Sequence, residues 1–327
     1  MDRHYIHFET PDLATLANDT APPAGPEEVL IKVDHAGINR ADLLQRLGLY
    51  PPPEDASPIP GLEVAGQVVA VGERCTALKL GDRVCALTHG GGYASHAIAR
   101  EDHCLALPDS LSTEQGAALP EALLTVWYNV MERGQLSAGE TVLIYGGSSG
   151  IGSIAIQMAA ALGANVISTA GSVARCDAVK ALGASFVANH REDSLTEQIT
   201  EAGYGGKVDV ILDIAGGDLM QANLDLAALD GRIVCIGVMR GMQSEINLAT
   251  LFMKRLTLTG STLRRLDTAE RARCFTAIRD RIWPQVIAGN IQPIVDTAYP
   301  LADVLEAHEH MRLGTHLGKL VLDCRMG

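Results

Sequence analysis

Aromatic residues are scarce in this chain of 327 residues: four Phe, two Trp and seven Tyr make up 4% of it. A binder of single-stranded nucleic acid, which stacks bases on aromatic platforms, is poorly served by such a composition. Positive charge is short as well, with 26 Lys and Arg against 39 Asp and Glu, a formal net charge of −13 and no block of like charges. That balance argues against a nucleic-acid partner held through its phosphates. Paired cysteine motifs are missing too. The seven cysteines, Cys75, Cys85, Cys104, Cys176, Cys235, Cys274 and Cys324, are odd in number, scattered, and never in C-x-x-C. They support neither a disulfide framework nor a clustered structural zinc site, and suit reduced thiols in the cytoplasm. Met1–Thr10 carries charges and no apolar core, so no secretory signal is expected there. Charge is absent from Val142–Ala174, a stretch long enough to span a bilayer. Glycine pairs, serines, Gln157 and Asn165 interrupt it, and its periodicity changes partway, which suits a buried βαβ unit better than a membrane helix.

What is present centres on Thr141–Gly152, T-V-L-I-Y-G-G-S-S-G-I-G. Val142–Tyr145 is an apolar run suited to a buried parallel strand, and glycines begin where it stops. From Ile151 the apolar residues Ile154, Ala155, Met158 and Leu162 recur at helical spacing. Gly163-Ala164 then ends the helix, and Asn165–Thr169 starts a second strand. Such a turn aims unpaired backbone N–H groups and the positive end of a helix dipole at a pyrophosphate. The candidate contacts are Gly147, Ser148, Ser149, Gly150, Ile151 and Gly152. The spacing Gly147-x-Ser149-x-x-Gly152 departs from the G-x-G-x-x-G fingerprint at its middle position.

The end of the second strand selects the dinucleotide. An NAD site offers an acid to the ribose 2′-hydroxyl about 20 residues beyond the glycines. Here the chain reads Ala170-Gly171-Ser172-Val173-Ala174-Arg175, with no acid. The Ser172 hydroxyl and the Arg175 guanidinium suit a 2′-phosphate instead, so Gly171, Ser172 and Arg175 point to NADPH. Ser172 is equally suited to cap a helix, and Arg175 to a solvated helix face.

The length exceeds what one core usually supports, so two domains are expected. The first third reads as short strands among turns, Val29–Asp34, Val64–Val71, Gly81–Leu87 and Tyr93–Ala99, in the manner of a small β-barrel. Beyond the first βαβ unit, Phe186–Ala188, Val208–Asp213, Arg232–Ile236 and Leu256–Gly260 read as further strands separated by helices. Six strands match a doubly wound α/β fold, whose carboxyl-end loops face the ligand. That nominates Ala215, Gly216, Gly237, Val238, Ser261, Thr262 and Leu263 as cofactor contacts. Thr268–Ala288 reads as one long helix.

The segments I-N-R-A-D-L-L-Q-R-L-G-L-Y-P-P-P at 38–53, P-G-L-E-V-A-G at 60–66, G-D-R-V at 81–84, L-P-E-A-L-L-T-V-W at 119–127, T-A-G-S at 169–172 and G-K-L-V-L at 318–322 run nearly the length of the chain. In these it resembles the zinc-independent quinone oxidoreductases of the medium-chain dehydrogenase/reductase superfamily, and is most similar to the p53-inducible subgroup and its bacterial counterparts. The resemblance implies a GroES-like β-rich catalytic domain plus a doubly wound parallel Rossmann domain, with 1–122 catalytic, 123–262 NADPH-binding and 263–327 returning to the first domain.

It also implies hydride transfer from NADPH to a quinone in the cleft between domains. Reduction of the C=C bond of enals or enones uses the same cofactor geometry and stays open. So does a nucleotide-dependent RNA-binding or lens-structural role, known among relatives, although the charge balance opposes RNA. Zinc alcohol dehydrogenases have Gly-His-Glu where this chain has Gly61-Leu62-Glu63, and leucine cannot ligate zinc, so no metal is expected. By resemblance, Asn39 and Tyr50 line the substrate pocket, where amide and phenol can donate to the substrate oxygen. A capping role for Asn39 and packing on the proline run for Tyr50 are the alternatives. The resemblance places Thr125 near the nicotinamide, a helix hydroxyl bonded to its own backbone being the alternative, and His190, in its cationic form, near the 2′-phosphate, an exposed surface histidine being equally suited. The resemblance also places Arg264 at the cofactor or pocket and Lys319 near the adenosine phosphate region, ordinary surface charges being the alternative for both. A homodimer without membrane attachment is the expected assembly.

Overall fold

The computed structural model describes residues 1–192 and 194–325. The chain forms two compact units, one of Met1–Ala122, Asp267–Trp283 and Pro293–Gly327, the other of Leu123–Leu266 and Pro284–Gln292. Of the return segment expected over 263–327, residues 263–266 and Pro284–Gln292 group with the second unit.

The strands of the first unit, in chain order, are β1 (Asp2–Thr10), β2 (Leu13–Thr20), β3 (Glu28–Gly37), β4 (Glu63–Val71), β5 (Arg83–Leu87), β6 (His96–Arg100) and β7 (Cys104–Ala106). The second unit supplies β8 (Thr141–Ile144), β9 (Asn165–Ala170), β10 (Phe186–Asn189), β11 (Val208–Asp213), β12 (Ala227–Cys235) and β13 (Thr257–Gly260), after which β14 (Val295–Pro300) and β15 (Lys319–Asp323) return to the first.

In the first unit a seven-stranded sheet runs β14-β15-β3-β4-β5-β7, with β6 also on β3. Its core gathers Val29, Ile31, Val64, Val84, Tyr93 and Leu320. The hairpin of β1 and β2 stands apart as a two-stranded sheet and is not foreshadowed in the sequence, because only Ile6 in it is buried and no alternation marks it.

The second unit carries a six-stranded sheet in the order β10-β9-β8-β11-β12-β13, parallel throughout. This is the doubly wound arrangement, with the order reversing between β8 and β11, where such sheets bind ligands. Leu143, Ile167, Ile211 and Ile233 fill its core from four neighbouring strands. Both faces of β8 are covered, which is why Val142, Leu143 and Ile144 read as an unbroken apolar run.

The long helix expected over Thr268–Ala288 is two helices, Thr268–Arg281 and Trp283–Ile287. Pro284 explains the break: it has no N–H to donate to the carbonyl four residues earlier, and its ring crowds that carbonyl, so the first helix cannot run through it. Asp267 starts the first helix, its carboxylate accepting the Glu270 N–H at 2.8 Å.

Candidate dinucleotide and substrate sites

In the second unit, β8 leads through Gly146 and Gly147 into the helix Gly150–Ala161. Gly146 has φ of +68°, open to glycine at little cost. A Cβ on Gly147 would stand 2.8 Å from Val179 Cγ1, and one on Gly152 2.8 Å from Gly147 Cα. Strand, turn and helix therefore approach so closely that only glycine fits at these two positions. Ser149, where the fingerprint has glycine, is the N-cap: its Oγ accepts the Gly152 N–H at 3.0 Å. The departure thus has a structural role, and the N–H groups of Gly150 and Ile151 at the first turn lie where an anion can accept them. Ser148 is half-buried beside them.

At the end of β9, Ser172 caps the helix Val173–Ala181, its Oγ accepting the Arg175 N–H at 3.3 Å. Arg175 is half-buried in the first turn of that helix. A Cβ on Gly171 would lie 2.8 Å from His190 Nε2 and 3.5 Å from Arg191 Nε. Burial, then Arg191, Arg240 and Arg175, lower the pKa of His190 and so disfavour the cationic form expected of it. Arg191, Arg240 and Arg175 bring positive charge to this corner, with Arg240 paired to Asp218 at 2.6 Å. Arg191 and Arg240 escape the sequence reading, although Arg191 adjoins His190 and Arg240 follows Gly237 closely.

The loops after β11 and β12 pack directly on each other. A Cβ on Gly237 would meet the Ile214 carbonyl oxygen at 2.5 Å, and Gly216 bridges Gly241. Asp213, fully buried at the end of β11, accepts the N–H groups of Ala215 at 2.7 Å and Gly216 at 2.9 Å. Val238 is exposed beside this contact. After β13, the Ser261 hydroxyl donates to Asn129 Oδ1 at 2.6 Å, and Asn129 Nδ2 donates to the Thr125 carbonyl at 2.8 Å, so Ser261 and Thr125 share one partner. Thr262 is exposed, and Leu263 and Arg264 are half-buried in a short 3₁₀ turn. Gly147 to Gly152, Gly171 to Arg175, Ala215, Gly216, Gly237, Val238 and Ser261 thus all stand at the carboxyl ends of parallel strands.

Lys319 is a correction. It belongs to the first unit, in β15, where its ammonium group is buried against Glu63 and donates to Asn39 Oδ1 at 2.6 Å. Its charge is taken up there rather than by an adenosine phosphate. Asn39 in turn donates from Nδ2 to Glu63 Oε1 at 2.9 Å, and Glu63 Oε2 accepts the Glu121 N–H at 2.9 Å. Asn39 also precedes the helix Arg40–Arg46, its own N–H donating to Asp42 Oδ2 at 2.8 Å. Burial pushes the Asp42 carboxyl up to about 6 against three hydrogen bonds, from Asn39, Gly61 and Tyr93. The Tyr93 hydroxyl gives its hydrogen to Asp42 at 3.1 Å, so at 3.1 Å it accepts from His308, whose Nε2 must carry the proton. Tyr50 is half-buried, its N–H donating to the Leu44 carbonyl at 3.2 Å.

Leu62 stands between Gly61 and Glu63 where a metal ligand would be sought, and the Glu63 oxygens are engaged as described. Among the described residues, no group of three or more His, Cys, Asp or Glu side chains is disposed to hold a metal ion. The side chains present do not fit a zinc site.

Two family profiles match the chain: the alcohol dehydrogenase GroES-like domain at residues 25–109 and the zinc-binding dehydrogenase at residues 150–278. The quinone oxidoreductase of Lama guanicoe is 35% identical over 96% of the chain and 94% of its own length. A mycocerosic acid synthase-like polyketide synthase of Mycobacterium tuberculosis is 34% identical over 97% of the chain, which spans 15% of that much longer protein. Among solved structures, the Escherichia coli quinone oxidoreductase complexed with NADPH superposes with a TM-score of 0.85 at 31% identity, covering 99% of this chain and 100% of that one. The CurK enoyl reductase superposes with a TM-score of 0.83 at 25% identity, covering 98% of this chain and 99% of that one. The alignment with full-length relatives, the GroES-like sheet and the doubly wound sheet agree: the chain belongs to the quinone oxidoreductases of the medium-chain dehydrogenase/reductase superfamily.

Proposed function

We propose that the chain is an NADPH-dependent reductase of quinones that works without a metal ion. The observation that carries the choice of coenzyme is the corner at the end of β9, where Gly171 approaches His190 and Arg191, Arg175 stands in the next helix turn, and the first residues after the strand include no acid. A carboxylate there would repel a 2′-phosphate, whereas guanidinium groups bind one. The residues that would hold the coenzyme are the N–H groups of the Gly147–Gly152 turn, Ser172 and Arg175, with Ala215, Gly216, Gly237, Val238, Ser261, Thr262, Leu263 and Arg264 along the remaining loops and Thr125 at the nicotinamide end. Bound NADPH supplies a hydride.

For the substrate, Asn39 is the favoured donor. Its Oδ1 accepts from Lys319 and one Nδ2 hydrogen goes to Glu63, which fixes the amide plane and leaves the second Nδ2 hydrogen for an acceptor oxygen. Tyr50 is the second donor. The absence of a ligand at Leu62 and the engagement of Glu63 favour polarisation by hydrogen bonds alone. The Lama guanicoe and Escherichia coli relatives favour a quinone acceptor, and the CurK enoyl reductase favours the second reading, reduction of an activated C=C bond. Mixing the protein with NADPH and 9,10-phenanthrenequinone, then with a 2-alkenal, and following cofactor absorbance separates the two. A chelator should leave the rate unchanged; loss restored by zinc would refute the metal-free reading.

The free edge of β13 and the exposed Leu248, Phe252, Met253 and Leu258 near it favour a homodimer, which gel filtration with light scattering tests. The seven free cysteines favour a reducing, cytoplasmic setting.

A further inference from the structure

In the second unit, four polar side chains join the ends of three parallel strands beneath the surface. Tyr145, which follows β8 and precedes the glycine turn, donates its hydroxyl to Asn223 Oδ1 at 2.7 Å. Asn223 Nδ2 donates to Asp213 Oδ2 at 3.0 Å. Asp213 Oδ1 takes both N–H groups of the loop after β11, from Ala215 and Gly216, and the thiol of Cys235, the last residue of β12, lies 3.9 Å from Oδ2. Asp213 and Asn223 are completely buried and Tyr145 nearly so. Burial and the Asp213 charge hold the Tyr145 phenol far above its ordinary pKa, so it remains a donor.

Hydrophobic packing alone does not require this arrangement. A buried carboxylate is costly unless its acceptor sites are filled, and here they are filled by the loop that faces the ligand side of the sheet. Both N–H groups are turned inward onto Asp213, and Gly216, with a φ of +62°, bridges Gly241. The chain of bonds ties the turn after β8, the loop after β11 and the end of β12 into one frame.

We propose that Asp213 is a positioning residue, acting through the Ala215–Gly216 loop to hold the dinucleotide site in its binding form. This rests on the reading of the second unit as an NADPH site. The carboxylate works by accepting, so its pattern can be moved as well as removed. In Asp213→Asn, the loop N–H groups keep a neutral amide oxygen in place of a carboxylate, and the new Nδ2 group is satisfied only if the Asn223 amide flips and the Tyr145 hydroxyl becomes an acceptor. In Asp213→Asn with Asn223→Asp, the new amide donates to the new carboxylate, which still accepts from Tyr145, and every group regains a partner.

The test is calorimetric titration of NADPH into the full-length protein and its variants, together with amide exchange at Ala215 and Gly216. The expected result is a Kd raised about tenfold in Asp213→Asn, equivalent to the loss of roughly one charge-assisted hydrogen bond. Exchange at the two amides is faster, exchange in β8 is unchanged, and the double variant recovers most of the affinity. Tyr145→Phe, which leaves the packing in place, should raise Kd by about threefold, within the range of a single neutral hydrogen bond, and it carries the test if Asp213→Asn does not fold. Unchanged Kd in Tyr145→Phe and in any folded Asp213→Asn overturns the proposal, as does a weakened single variant that the swap fails to rescue. Absence of NADPH binding by the unaltered protein overturns the coenzyme reading itself, and this inference with it.

Discussion

Lys319 buries its ammonium group against the carboxylate of Glu63, and Asn39 bonds to both. Removing one member of a buried pair leaves an uncompensated charge, so Lys319→Met should cost about 3–5 kcal/mol of unfolding free energy. Adding Glu63→Gln to Lys319→Met should recover much of that loss, because the neutral amide introduced there can still accept the Glu121 N–H and donate to Asn39. Urea unfolding of both variants checks this; equal stability of the two would mean that the pair's charges do not matter.

His308 is fully buried, and burial, followed by Arg46, lowers its pKa to about 3. The unfolded chain therefore binds more protons than the folded one between about pH 6.5 and about 3, and stability must fall as pH drops through that window. The contribution is complete above pH 6.5 and amounts to at most about 5 kcal/mol, at about 1.4 kcal/mol per pKa unit. His308→Asn should flatten this part of the pH profile of unfolding. A variant profile as steep as that of the unaltered protein would place the acid sensitivity elsewhere.

Arg175→Ala should raise the KM for NADPH about tenfold while changing that for NADH less than about twofold, the difference expected for one charge-assisted bond to a phosphate. Steady-state kinetics with the two coenzymes decide it. An equal effect on both would move the phosphate contact to Arg191 or Arg240.

Tyr50→Phe removes one phenolic donor and little volume. Turnover of 9,10-phenanthrenequinone should drop by about tenfold with the Kd for NADPH unchanged, the signature of a donor used only on the substrate. Full turnover in the variant would return Tyr50 to a packing role beside the proline run.

Much of the second unit is legible in the sequence because its signals are local. An apolar run bounded by glycine identifies β8, and Ser149 and Ser172 sit where helices need caps. The first unit is less fully legible. The hairpin of β1 and β2 buries little and so leaves no pattern, and β6 begins at His96, beyond the Tyr93 and Ala94 that the residue pattern assigns to it. The fate of Lys319 cannot be read at all, since its partner Asn39 lies 280 positions away and only the meeting of β15 with β3 brings them together. The cationic form expected of His190 is disfavoured first by burial and the adjacent Arg191, and then for a related reason. Its surroundings include Arg175 and Arg240, which neighbour it in space and are distant in sequence.

Strand β3 has β4 along one side, close to it in sequence; on its other side Glu28–Lys32 pair with β6, and the flank at His35–Gly37 pairs with β15, from the far end of the chain. During synthesis the sheet that begins first must keep that flank open while the intervening residues are made, and loop-closure entropy delays such distant pairings further. The parallel sheet of 123–266, almost continuous in sequence, is free to mature sooner. The portion that leaves the ribosome earliest is therefore completed last, and Val321, Leu322 and Asp323 seal it.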